Sequence, residues 1–282
     1  MPKTIGNPLS WTMGALGSAA GYATVVATPA REHAPPVTQR LTMADLRMAL
    51  RKGWEDLSAM RSDVMFACML YPLMGAVLLG LAAQGSMTHL LFPVLSGFAL
   101  VGPVAGLGLY ELSRRREAGL EVGWASMFEV LRSPRFPRIV MLALFNAIIF
   151  MIWLLLADMI HTATLGADRT VGLTDLLTAA VSTPAGWAMT LIGSGVGFVL
   201  AAVVLAVSVV SFPLLLDRDV SLPVAVTTSV KVARENPGVI VAWGLIVAAG
   251  LVIGILPVLV GLIVVLPVLG HATWHLYRAA VA

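Results

Sequence analysis

Six times along the chain the polar positions fall away for about twenty residues, the length a helix needs to cross bilayer hydrocarbon. These runs cover residues 64–83, 90–110, 139–160, 187–216, 239–256 and 259–277. The fourth is long enough to tilt, and the last two are short and joined by a turn at 257–261. Ahead of every second run the pattern changes to a 3.6-residue period, the mark of an amphipathic helix. In "ADLRMALRKGWEDLSAM", Leu46, Leu50, Trp54 and Leu57 form an apolar stripe opposite Arg47, Arg51, Lys52 and Glu55. In "EVGWASMFEVLR" the stripe is Trp124, Met127, Phe128 and Leu131. In "SLPVAVTTSVKVAREN" it is Leu222, Val226, Val230 and Ala233, with Lys231, Arg234 and Glu235 facing away. The pattern predicts an all-α membrane protein with six transmembrane helices in three hairpins, each hairpin preceded by an amphipathic helix along the inner surface.

Composition agrees. The chain is 59% hydrophobic and 12% charged, against about 25% charged in soluble domains, and its mean hydropathy is +0.91. Too few polar groups remain to cover a water-facing surface. Arginine and lysine set the orientation, because cytoplasmic loops accumulate them. Of 18 such residues, 17 fall in the N-terminal arm, in loops after even-numbered runs, or at Arg278, and Arg169 alone falls elsewhere. Both termini are therefore expected in the cytoplasm. Residues 1–40 read as a poorly ordered cytoplasmic or interfacial arm ahead of a single membrane domain at 41–282. A cleaved signal peptide is not expected, since Gly14, Gly17 and Gly21 interrupt the apolar stretch of that arm.

Each hairpin repeats a proline in its second helix, Pro103, Pro213 and Pro267, expected to bend it. Small residues four apart, at Gly102 and Gly106, Gly193 and Gly197, and Gly250 and Gly254, permit close helix approach where lipid supplies no hydrophobic drive. They read as packing faces within the bundle or against a membrane-protein partner. Arg114, Arg115 and Arg116 are candidates for anionic lipid headgroups.

Chemistry is sparse. No Asp, Glu, Lys or Arg lies near the middle of a run, which argues against a proton-driven pump. Asn146, Ser96 and Ser208 are the polar groups at depth. His271 and His275 share a helix face in "GHATWHLYR", the spacing of a metal or haem ligand pair. Trp274, Tyr277 and Arg278 around them are the residues expected at a helix end, where they anchor at the membrane interface. The helix-end reading is preferred, so no cofactor is predicted. His89, Asp158 and His161 on the outer side raise a zinc site, without a recognised ligand spacing, beside Asp168 and Asp175. "HATWH" lacks the glutamate of a metalloprotease helix, and no phosphate loop, nucleophile elbow or C-x-x-C pair occurs. Cys68 lies in an apolar helix without an activating base. An enzyme is not expected, nor a nucleic-acid partner.

The phrases "DLRMALRKGWEDL", "FACMLYPLMG", "LLFPVLSGFALVGPVAGLGLYELSRRRE", "FPLLLDRDVSLPVAVTTSVKVARENP", "WGLIVAAG" and "LPVLGHATWHLYRA", between Leu41 and Ala280, resemble an uncharacterised family of bacterial integral membrane proteins, domain of unknown function 2189. The resemblance implies a multi-span protein of the bacterial inner membrane and transfers no activity or catalytic residue. The small-residue faces, the absence of central charges and the three amphipathic helices lead instead to the expected function, an accessory, assembly or stabilising partner of a larger membrane complex, acting with lipid and with another membrane protein or a second copy. The alternative, suggested by Pro103, Pro213 and Pro267 in corresponding places, is a channel or carrier for a small uncharged solute, which a wet cavity ringed by Asn146, Ser96 and Ser208 would favour.

Overall fold

The computed structural model describes residues 36–83, 87–166 and 172–282, so residues 1–35 of the arm lie outside them. Among the described residues the structure is helical, with an isolated antiparallel bridge between Thr38 and Val281. That bridge ties the chain ahead of the first helix to the C-terminus. Gln39 N donates to Ala280 O at 2.9 Å, and Leu41 N donates to Asn236 Oδ1 at 2.7 Å.

Helix α1 (Met43–Cys68) starts at a reciprocal cap. Thr42 N donates to Asp45 Oδ2 at 2.8 Å and Asp45 N to Thr42 Oγ1 at 3.3 Å, which satisfies amides a helix start leaves open. The helix bends at Met60 (φ −123°, ψ 18°), where its amphipathic part gives way to the first apolar run. Helix α2 (Leu70–Ala83) completes that run. Helices α3 (Leu91–Ala105) and α4 (Leu107–Glu117) are divided at Gly106. Proline 103 deprives the Ala99 carbonyl of its donor, and a 44° bend separates Thr88–Gly97 from Ala99–Ala105.

Helix α5 (Phe136–Leu165), the short α6 (Leu173–Ser182), α7 (Pro184–Ser208) and α8 (Ser211–Asp217) follow. Between α7 and α8, Pro213 removes the donor that Val209 O would receive. The Val210 amide bonds Ser229 Oγ at 3.2 Å, and that hydroxyl donates to Ala206 O at 2.7 Å. A neighbouring serine thus repairs a broken helix, as backbone in a membrane requires. Ser229 belongs to α9 (Leu222–Glu235), which leads into α10 (Pro237–Ile255) and α11 (Leu262–Ala280). Pro267 stands inside α11 without dividing it, unlike the other two prolines.

Among the described residues three helices are long and apolar enough to cross a membrane: Phe136–Leu165, Pro184–Asp217 (α7 with α8) and Pro237–Ile255. The bent pair around α3 makes a fourth if counted as one span. Large apolar side chains stand exposed along them, among them Leu144, Ile148 and Leu155 on α5, Leu191 and Phe198 on α7, and Leu245 and Ile253 on α10. The core gathers at the end where α8 sits, with residues Ser211–Leu216 all buried.

The amphipathic stretches pack differently from their apolar stripes. On α1, Leu46, Ala49, Gly53, Asp56 and Leu57 face the protein, while Trp54 is exposed. The second stretch is a 3-10 helix (Trp124–Arg132) that buries Ser126 and Val130 and exposes Trp124, Phe128 and Leu131. On α9 the buried face is Ala225, Thr228, Ser229 and Val232, one step round from the expected stripe. Small and polar residues join the inward faces because neighbouring helices come close, and the bulkiest apolar ones, Trp54, Trp124 and Phe128, turn outward.

At mid-depth, Asn146 is fully buried, and its amide donates to Leu100 O at 3.4 Å and Ser208 Oγ at 3.2 Å. Asn146→Ala is expected to leave both acceptors bare and cost about 1 kcal/mol, read as an earlier thermal transition in detergent. An unchanged transition would show the bonds to be idle.

Candidate functional site

The densest polar chemistry lies where α1, α4 and α11 meet, and it begins at a missing side chain. A Cβ on Gly53 would stand 2.7 Å from Ala272 N and from Val268 O, so α1 and α11 cross almost backbone to backbone. One turn along α1, Asp56 is thereby pressed between α11 and α4. Asp56 is buried, as are Ser113 and His271, at 5%, 1% and 0% exposure. Ser113 Oγ donates to Asp56 Oδ2 at 2.5 Å, and His275 Nε2 meets the same oxygen at 2.9 Å. Arg116 Nη1 donates to Asp56 Oδ1. Ser113 Oγ also lies 2.8 Å from His271 Nδ1.

Counting protons assigns the tautomers. A carboxylate only accepts, so His275 donates through Nε2 and Ser113 gives its single proton to Asp56. The Ser113 oxygen then accepts from His271 Nδ1–H. In a nucleophilic triad the histidine sits between serine and carboxylate and takes the serine proton. Here the serine sits between histidine and carboxylate. Burial pushes the Asp56 carboxyl up, but hydrogen bonds from His275 and Ser113, with the charge of both imidazoles, outweigh it and hold the group below its ordinary 3.8.

A second shell of polar contacts surrounds this cluster. Trp274 Nε1 donates to Glu117 Oε2 at 2.9 Å and Tyr277 Oη to Asp217 Oδ2 at 2.7 Å. Both rings are buried, so they are not lipid-facing anchors: their polar tips bind carboxylates of the chain itself. Arg278 is part-exposed and reaches both Glu117, at 3.2 Å, and Asp217, at 3.5 Å. The three arginines read as headgroup ligands are each committed within the protein. Arg114 grips Glu111 at 2.7 and 2.8 Å, Arg115 pairs with Glu129, and Arg116 with Asp56. At Arg114 the Glu111 carboxylate raises the guanidinium pKa further, against the cost of burial.

His271 and His275 thus face Asp56 and Ser113. On the outer side, His89 Nε2 lies 2.8 Å from Asp158 Oδ1, and the His89 and His161 rings stack 4.6 Å apart at 30°. The sequence raised this trio as a zinc site without a ligand spacing to support it; lone pairs lie in the ring planes, and stacked rings do not aim them at one point. Among the described residues no group of three or more His, Cys, Asp or Glu is arranged to hold a metal ion. Asp168 lies outside the described residues. Of the six packing glycines, Gly106, Gly197, Gly250 and Gly254 face side chains of their own chain, Tyr110, Trp153, Leu269 and Leu262. An added Cβ at Gly102 or Gly193 meets nothing within 4 Å. Ser96 closes inward as well, receiving Trp153 Nε1 at 3.2 Å and donating to Pro93 O at 3.0 Å. Cys68 is buried.

Long apolar helices, exposed leucine and isoleucine along them, and polar groups folded onto one another define an integral membrane protein. Residues 91–217 match the model of the family described as "Predicted integral membrane protein (DUF2189)", and the chain resembles that family over this stretch. Ser113 and Arg116 fall inside the match, whereas Asp56, His271 and His275 fall outside it. No curated protein and no solved structure matches the chain.

Proposed function

We propose that this is a non-enzymatic protein of the bacterial inner membrane that accompanies, assembles or stabilises a larger membrane complex. In this reading all six apolar runs cross the bilayer as three hairpins, and both termini lie in the cytoplasm, as the distribution of arginine and lysine favours. The observation that carries the proposal is the closure of the polar groups at depth. Asn146 and Ser208 bond to each other, and Ser96 to Trp153 and backbone, so the polar atoms of all three are spent within the protein. That supports a companion protein over a channel or carrier. The inverted order of Ser113 and His271 supports a structural cluster over a nucleophilic one. Exposed Trp54, Trp124 and Phe128 suit helices resting in the inner headgroup layer.

Gly193 offers the partner face, since it is open, on a span, and beside exposed Leu191 and Ile192. The test is affinity capture of the tagged chain at native expression in mild detergent, with mass spectrometry against an untagged control. A stoichiometric membrane protein is expected. Gly193→Leu should reduce its recovery about tenfold, equivalent to 1.4 kcal/mol, with an unchanged melting transition. Recovery of the chain alone, or only of copies of itself, would end the companion reading.

A further inference from the structure

Between α3, α4, α7, α10 and α11 lies a cavity of about 230 Å³. Its back wall is Leu109, Tyr110, Leu269 and Thr273, deep in the bundle. Small residues make the room: Gly102 and Gly106 on the α3–α4 junction and Gly270 on α11. Two stripes frame the opening. On α7, Phe198 and Ala202 stand four apart, and on α10, Val241, Leu245 and Ala248 follow at helical spacing, all of them exposed. These helices are candidate spans, so the opening faces the side of the bundle that lipid covers.

Water does not suit this space. A buried water needs two to four polar partners, and this largely apolar wall spends two of its few: Thr273 Oγ1 donates to Leu269 O at 2.7 Å and Ser208 Oγ is shared with Asn146 at 3.2 Å. Left empty, the walls would forfeit their dispersion contacts. We propose that the cavity is a binding site for one acyl chain of a membrane phospholipid, which enters sideways between α7 and α10. One observation favours a phospholipid over an uncharged isoprenoid quinone. Helix α9, which leads straight into the mouth-forming α10, ends with exposed Lys231 and Arg234 against a single carboxylate, Glu235, 3.9 Å from Lys231, a net positive charge that suits a phosphate. The inference is independent of the companion role, since a chain with or without a partner can hold a lipid.

The experiment uses the full chain in nanodiscs of phosphatidylethanolamine and phosphatidylglycerol, doped with a phosphatidylglycerol that carries a diazirine midway along one acyl chain. After irradiation, labelled peptides are mapped by mass spectrometry. Label is expected on Leu109, Leu269 and Thr273, which bulk lipid does not touch, as well as on exposed α5. Gly102→Leu, placed where an added Cβ has open space, should fill the cavity and reduce the wall label at least tenfold while α5 stays labelled. Ala248→Phe at the mouth is the second variant should the first fail to fold. Three outcomes would overturn the proposal: label confined to exposed positions, wall label unchanged in the filled variants, or wall label displaced by an isoprenoid quinone and not by unlabelled phospholipid.

Discussion

Asp56→Asn is expected to lower stability by about 2–3 kcal/mol, and Asp56→Leu by more. The carboxylate receives Ser113, His275 and Arg116, and its own side chain is 7% exposed. Removing one partner of a buried ion pair costs about 3–5 kcal/mol. The lower figure applies because Arg116 is 40% exposed and water takes up part of its charge. An asparagine must also turn an NH₂ either toward Arg116 or toward Ser113 and His275, all of which already donate, so a donor is left facing a donor. Thermal unfolding in detergent, followed through the fluorescence of nearby Trp274, measures the loss. Ser113→Ala removes two hydrogen bonds, to Asp56 and from His271, and should cost about 1–2 kcal/mol, and the double variant should cost less than the sum because both lose the Ser113–Asp56 contact. The effect has a defined pH window. Folding lowers the Asp56 pKa from 3.8, so the unfolded chain binds this proton more tightly. Its contribution is complete above 3.8 and is lost as pH falls through the lower folded value. The gap between wild type and Asp56→Asn should therefore hold from neutral pH to about pH 5 and close only in stronger acid. A gap that closes near neutrality would mean that Asp56 is not the group responsible.

The long apolar runs were legible because length and composition alone decide them: α5, α7 with α8, and α10 are the helices that meet the requirement. Asn146 was legible as the polar residue at depth, although its partners were not. The cluster at Asp56 was hidden for a specific reason. Asp56 and His275 are 219 residues apart in the chain, and on a helical wheel Asp56 looks like part of the solvated face. The available signal was Ala49, Gly53 and Asp56 at positions i, i+4 and i+7, small residues in line with a carboxylate. Such a line marks a face that another backbone approaches. The same omission misdirected Trp54, since a stripe that includes a bulky residue is not the stripe that fits a close crossing. Trp274 and Tyr277 were misplaced because aromatic residues near arginine end a helix in the same letters whether they meet headgroups or carboxylates of the protein. Only the packing of α4 and α8 against α11 distinguishes the two.

Gly53→Val should have an effect at least as large as that of Asp56→Asn, about 3 kcal/mol or more, because two of the three atoms nearest an added Cβ are backbone. Ala272 N and Val268 O would lie 2.7 Å away and the Ala272 Cβ 2.9 Å away. A flexible side chain could turn aside, but a helix backbone must move as a whole. Overpacking costs about 1–3 kcal/mol where side chains yield, and a rigid contact stands at the upper end. Gly53→Ala shows the competition more finely. Alanine gains about 0.8–1 kcal/mol of helix propensity, so its net loss should be smaller than that of valine. Gly195→Ala on α7, where nothing lies within 4 Å, supplies the comparison and should be neutral or stabilising. If both alanine variants behave alike, α1 and α11 do not cross as closely as the structure has them. Moving α1 outward would also draw Asp56 away from His275, so the Gly53 variants should reproduce part of the Asp56 phenotype. A compensating Ala272→Gly can remove only the Cβ contact. The Gly53→Ala, Ala272→Gly pair is therefore expected to recover only part of the loss, while a full recovery would place the clash in side chains and not in the backbones.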